Sequence, residues 1–183
     1  ASVMPPLEYL RSSGGQMRDQ AIHFFDLLRF LTGDEVTTVA ALGAALALAE
    51  IAEFDDVDTS IVMLRMRGGA LAQLDNTRRT GHGYDERISL LGPQGVIESG
   101  SQASRGVTLW QGARCIQPGL YPDWFSRVEG SYYAHLDAFV RSLGGEAVTD
   151  LPGLLDGLRA QAIAEAAVLS LRQGQFVSVE PLA

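Results

Sequence analysis

Apolar residues crowd residues 17–31, interrupted only by Arg18, Asp19, Gln20, His23, Asp26 and Arg29, and Gly33 follows where a left-handed cap belongs. This pattern predicts a helix buried on most of its sides. Residues 36–46 fit helix or strand by periodicity. The β-branched run Val36, Thr37, Thr38, Val39 and the later Gly43 favour strand. Residues 60–67 and 70–77 are two apolar runs joined by Gly68-Gly69, which predicts a hairpin whose two turn residues both take positive φ. A second hairpin is expected from residues 87–91 and 96–98 across Gly92-Pro93-Gln94-Gly95, and two shorter strands over 107–110 and 114–116. From Phe125 the period changes: Val128, Tyr132, Leu136, Phe139, Val140 and Leu143 fall three or four apart until Gly144-Gly145, the signature of a helix. Asp150 and Pro152 open a last helix ending near Gly174, and Phe176, Val177 and Ser178 form an edge strand. A helix, then about five to seven strands in hairpins, then two helices make an α+β chain rather than a series of βαβ units.

The chain has 183 residues, 46% hydrophobic and 20% charged, which predicts one packed domain spanning 1–183. At this length folding removes roughly 70% of the unfolded surface from water, so no disulfide or metal is needed for stability. Cys115 has no cysteine to pair with, which fits a reducing, cytoplasmic compartment. The net charge of −8 opposes nucleic-acid binding, since phosphate neutralisation needs a surplus of basic groups. The longest apolar run, residues 39–49, is well short of the ~20 residues that cross a bilayer, so no membrane partner is expected. Every basic residue is arginine. Chemistry that needs a lysine must therefore draw it from outside this sequence.

Metal-ligating, nucleotide-cradling and nucleophile-elbow motifs are missing: the sequence has no C-x-x-C, H-E-x-x-H, Walker loop, G-x-S-x-G or G-x-G-x-x-G. What stands out is Asp19-Gln20-Ala21-Ile22-His23, a carboxylate and an imidazole four apart on one helix face. A carboxylate beside histidine fixes the ring's tautomer and leaves its other nitrogen as a general base near neutral pH. The same spacing more commonly reflects a first-turn aspartate drawn to the helix dipole, with a satisfied core histidine one turn on. Asp19, His23 and Asp26 could also ligate a metal, but a distant third ligand is lacking and none is expected. The segment Asp75-Asn76-Thr77-Arg78-Arg79 and the following Gly81-His82-Gly83-Tyr84-Asp85 supply amide, guanidinium, imidazole and phenol groups suited to a polyhydroxylated ligand, or simply a solvated polar loop. Tyr132 and Tyr133 interrupt an apolar helix stripe and are expected to pack in the core.

Pro6-Leu7-Glu8-Tyr9-Leu10 with Ser13-Gly14-Gly15, then Arg18-Asp19-x-x-Ile22-His23-x-x-Asp26-x-x-Arg29-Phe30-Leu31-x-Gly33, resemble inositol 2-dehydrogenases of the glucose–fructose oxidoreductase/MocA class. The likeness continues through Asp56-Val57-Asp58-Thr59, Gly69-Ala70-Leu71, Asp75-Asn76-x-Arg78-Arg79 and Gly83-Tyr84-Asp85-x-Arg87, and fades along the last two helices. It implies the C-terminal domain of a two-domain dehydrogenase, an open, mainly antiparallel sheet with helices on one face, lacking the Rossmann domain that binds NAD or NADP and carries a catalytic lysine. The resemblance makes Asp19 and His23 the catalytic pair that oxidises a secondary alcohol of a cyclitol or sugar. It places Gln20, Asn76, Arg78, His82, Tyr84 and Tyr132 near substrate. Gln20 departs from the small hydroxyl residue frequent there, and His82 from a tyrosine. The resemblance also implies a homo-oligomer, dimer or tetramer, formed through the sheet. With no cofactor expected on this fragment, the fragment alone is expected to be inactive. The competing expectation is a non-catalytic module that self-associates through its sheet or binds a ligand.

Overall fold

The computed structural model describes residues 3–100, 102–149 and 151–181. The chain divides into two compact bodies, one of Pro5–Arg78 with Pro152–Ala183, the other of Ala1–Met4 with Arg79–Leu151.

The first body is an antiparallel sheet with helices on one face. α1 (Leu7–Ser12) leads into a π-helical turn (Met17–Ala21) continuous with α2 (Ile22–Thr32). β1 (Val36–Ala44), β2 (Thr59–Met66) and β3 (Leu71–Thr77) follow, and α4 (Leu154–Gln173) and β8 (Val177–Ser178) complete it. The strand order is β3-β2-β1-β8. Val39 faces Leu64 and Ala41 faces Val62 across the β1–β2 ladder. These side chains bury in one cluster with Met17, Ala21 and Phe25 and with Ile163, Ala164 and Ala167 of α4. In β2 the alternation is strict: Ser60, Val62, Leu64 and Met66 are buried while Ile61, Met63 and Arg65 face outward. In β1 it is not, because the register shifts between Val36 and Thr38 and so turns both Val36 and Val39 inward.

The helix of residues 17–32 buries one stripe rather than most of its sides. Met17, Ala21, Phe25 and Arg29, each four apart, are buried, whereas Phe30 is 68% exposed. Arg29 is tolerated there because its guanidinium is fully paired: Nε and Nη2 donate to Glu35, Nη1 to Asp26 and Nη2 to Asp156. Gly33 caps α2 in the left-handed region (φ 62°), and Gly174 does the same for α4. The β2–β3 hairpin corrects the turn expected from Gly68-Gly69, since only Gly69 has positive φ (+94°). Gly69 N–H returns to Met66 O and Met66 N–H to Ala70 O, a three-residue loop ending in a left-handed glycine. On the other edge β8 is short, and beyond it Ser170 of α4 accepts the N–H of Ala41 at 2.9 Å while its hydroxyl donates to Gln175 O.

The second body holds two hairpins and a helix. β4 (Ile88–Gly92) pairs with β5 (Gly95–Ser99), and β6 (Leu109–Gln111) with β7 (Arg114–Ile116). α3 (Trp124–Leu143) is capped by Asp123, whose carboxylate accepts Ser126 N–H at 2.8 Å. Its apolar stripe is exposed, and Tyr132 and Tyr133 are 53% and 68% exposed, so the core packing expected of them is not found. Asp150, expected to help open the last helix, lies outside the described residues; Gly153, whose N–H donates to Asp156, caps α4 instead.

Candidate active site

The predicted pair sits where the π-helical turn becomes α2. Gly15, with φ of +90°, starts this turn, and a Cβ there would come within 2.9 Å of Asp56 Oδ1. Only glycine meets both conditions without strain. The helix start is fastened from the opposite side: Gln16 N–H donates to Asp56 Oδ1 and Gln16 Nε2 to Asp58 O. Asp58 is fully buried and accepts the amides of Leu46, Ala47 and Leu48 and the hydroxyl of Thr59. Burial pushes its carboxyl up, but these donors together outweigh burial and hold it below the usual aspartate range.

Asp19 is reached from two elements. Tyr9 of α1 donates its hydroxyl to Asp19 Oδ1 at 2.5 Å, and Arg78, just past β3, donates Nη1 to Asp19 Oδ2 at 2.7 Å. The hydrogen bond to Asp19 is the main reason the Tyr9 phenol is held above its ordinary value, with burial and the carboxylate charge adding to it and Arg78 opposing. His23, one turn later, is exposed, and its imidazole has no hydrogen-bond partner among the described residues. The carboxylate and imidazole are therefore not bonded to each other: the π turn carries an extra residue, and Asp19 is committed to Tyr9 and Arg78. The result is a fixed, partly open carboxylate one turn before an exposed imidazole that it does not hold, so the carboxylate does not set the ring's tautomer here.

Gln20 donates Nε2 to Thr77 O at 3.2 Å, which ties it to the end of β3. Asn76 and Arg78, both expected near substrate, are buried at 6% and 2% exposure. Buried here without a hydrogen bond are Gln16 Oε1, Gln20 Oε1, Asp56 Oδ2, Ser60 Oγ, Asn76 Nδ2 and the Nε and Nη2 of Arg78.

His82, Tyr84 and Tyr132 belong to the second body. His82 is exposed and its Nε2 lies 3.0 Å from Asp85 Oδ2, which Arg87 also grips with Nη2 at 2.6 Å. Tyr84 bridges Tyr121, its N–H donating to Tyr121 O at 2.8 Å. Burial, then the charge of Glu86, pushes its phenol up against the pull of Arg127. Gly83, with φ of +112°, allows this close approach, since a Cβ there would lie 3.0 Å from Tyr121 O. Tyr132 stacks loosely with Trp124 and Phe125.

Sequence reasoning missed Tyr9, Gln16, Asp56 and Asp58 as members of the Asp19 surroundings. The available signal was the motif Asp56-Val57-Asp58-Thr59, two carboxylates directly before a strand. Among the described residues no three His, Cys, Asp or Glu side chains converge to hold a metal ion, and no helix is long and apolar enough to cross a membrane.

Comparison with known proteins agrees with this architecture. The myo-inositol 2-dehydrogenase of Thermotoga maritima is 36% identical over 178 residues, covering 96% of this chain and 52% of that protein. The inositol 2-dehydrogenase of Rhizobium meliloti is 33% identical over 96% of this chain and 53% of that protein. The crystal structure of a myo-inositol dehydrogenase from Corynebacterium glutamicum superposes with a TM-score of 0.88 at 30% identity, over 99% of this chain and 54% of that one. The chain thus spans about half the length of the curated relatives it matches. Residues 8–179 match the family model of the oxidoreductase family, C-terminal alpha/beta domain, and the chain belongs to that family.

Proposed function

We propose that this chain is the substrate-binding and catalytic part of a dehydrogenase that oxidises a secondary alcohol of a cyclitol or related sugar. The observation that carries this reading is the fixed Asp19 carboxylate, gripped by Tyr9 and Arg78, one helical turn from the unpartnered imidazole of His23. The names of its relatives, inositol 2-dehydrogenases, support the substrate class.

In this reading His23 takes the proton of the substrate hydroxyl, and Asp19 orients that hydroxyl toward it. The side chains here fit the proton half of the reaction. They do not fit the grip on a dinucleotide, because the sequence has no glycine-rich turn for a pyrophosphate and no lysine. A nicotinamide cofactor, NAD or NADP, held on a part of the protein outside this chain would supply the hydride acceptor. Tyr84, His82 and Tyr132 are assigned to substrate by the family resemblance alone, Tyr84 through the motif Gly83-Tyr84-Asp85-x-Arg87. Gln20, in the Asp19 turn and bonded to Thr77 O, and Asn76, near the end of β3, are assigned to substrate as polar groups by the same resemblance.

The test is His23→Asn in the two-domain protein, assayed with myo-inositol and NAD. A loss of about a hundredfold or more in kcat is expected, the usual worth of a general base, with folding unchanged. An unchanged rate would remove the catalytic role of His23.

A further inference from the structure

Two arginines lie buried in the first body, and they are held in opposite ways. Arg29, 7% exposed, spends all three of its nitrogens on Asp26, Glu35 and Asp156. Arg78 is buried more deeply, at 2% exposure, yet its Nε and Nη2 make no hydrogen bond. Its other nearby carboxylate, Asp56, stands 3.8 Å from Nη2. An arginine retained for stability is expected to pair out, because a buried guanidinium with idle N–H groups forfeits the interactions that offset its desolvation. What Arg78 does achieve is one short bond, Nη1 to Asp19 Oδ2 at 2.7 Å.

The rest of its surroundings hold it in that position. Arg78 N–H donates to Asp58 O at 2.8 Å, and the same carbonyl accepts Gln16 Nε2 at 2.7 Å. Asp58 is itself immobilised by three backbone amides. The base of the π turn and the root of Arg78 are thus fastened to one peptide group. On the solvent side Tyr9, from a third element, holds the other oxygen of the same carboxylate. Two donors on two different oxygens leave the carboxylate no freedom to rotate about its Cβ–Cγ bond.

We infer that Arg78 is a positioning residue for the proposed reaction: it acts through Asp19, fixing the carboxylate that orients the substrate hydroxyl, and does not itself touch substrate. The inference rests on the reading of Asp19 and His23 as the catalytic pair. It separates Arg78 from the side chains expected to contact a polyol, and it makes Tyr9 the second arm of the same clamp.

The test is a double-mutant cycle in the two-domain protein with myo-inositol and NAD, combining Arg78→Lys with Asp19→Asn. Arg78→Lys alone is expected to lower kcat about tenfold with KM changed by less than about threefold. In the Asp19→Asn background the same substitution should change kcat by less than about twofold, because the group it acts through is already disabled. Equal losses in both backgrounds, or a loss confined to KM, would overturn the inference and leave the catalytic pair standing. An Asp19→Asn protein with undiminished kcat would overturn the pair and the inference together. Should Arg78→Lys fail to fold, the guanidinium resonances of Arg78 in the 183-residue chain decide the matter. Asp19→Asn should shift the Nη1 signal and speed its hydrogen exchange, and an unchanged signal counts against the clamp.

Discussion

The carbonyl of Asp58 accepts the backbone N–H of Arg78 at 2.8 Å, so the residue that opens β2 also fixes where the chain leaves β3. Beneath that bond the Asp58 side chain gathers the amides of Leu46, Ala47 and Leu48. One buried acid thereby shapes the connection between β1 and β2 and supports the elements that bear Asp19.

Asp58→Asn should destabilise the chain by about 2 kcal/mol, the scale of hydrogen bonds made by a charged acceptor. Because the folded carboxyl titrates below its unfolded value, its contribution is present above the unfolded value of about 3.9 and is lost as pH falls through the folded one. Urea unfolding of both proteins at decreasing pH should show the gap between them closing in acid. A gap that is constant with pH would show that the charge of Asp58 is not what matters.

Tyr9 gives the opposite sign. Its phenol is held above its ordinary value chiefly by donating to Asp19, so its contribution to stability is complete below about 10 and is lost as pH rises through the folded value. In Asp19→Asn the Tyr9 phenol should titrate lower, back toward about 10. Tyrosine-resolved NMR measures this directly, and an unmoved midpoint would deny the 2.5 Å bond.

The outer face of the sheet carries Leu42, Ile61, Met63 and Leu71, exposed at 70%, 47%, 47% and 77%. These lie together because Leu42 pairs with Ile61 across β1–β2 and Leu71 with Arg65 across β2–β3. A second copy of the chain laid on this face would cover them, as the homo-oligomer implied by the family resemblance requires. Light scattering at micromolar concentration should give a dimer or tetramer, and Met63→Asp should shift it toward monomer. A wild-type chain that stays monomeric would reject self-association through this sheet.

Glycine and period made the α+β architecture readable. Gly33 and Gly174 mark the αL caps of α2 and α4, the β4 and β5 runs bracket Pro93-Gln94, and the edge strand at Val177 follows its helix as the pattern required. Local signals of this kind act within a few residues. The π turn and the shift in β1 were not readable, since each depends on what the backbone packs against rather than on its own composition. Nor was the pairing at Asp19, whose partners lie ten residues before it and 59 after. The burial of Arg29 could not be read either, because one of its carboxylates, Asp156, is 127 residues away. The spacing put Asp19 and His23 on one helical segment, but it did not reveal the direction in which the carboxylate points.

The hydroxyl of Ser170 has a bearing on what this border of the sheet offers to another strand. With β8 lying along Thr38 and Val39, and Ser170 occupying the next inward amide at Ala41, this rim of the sheet offers a foreign strand little to zip onto. Growth by lateral strand addition, the route toward fibrils, is discouraged at that border.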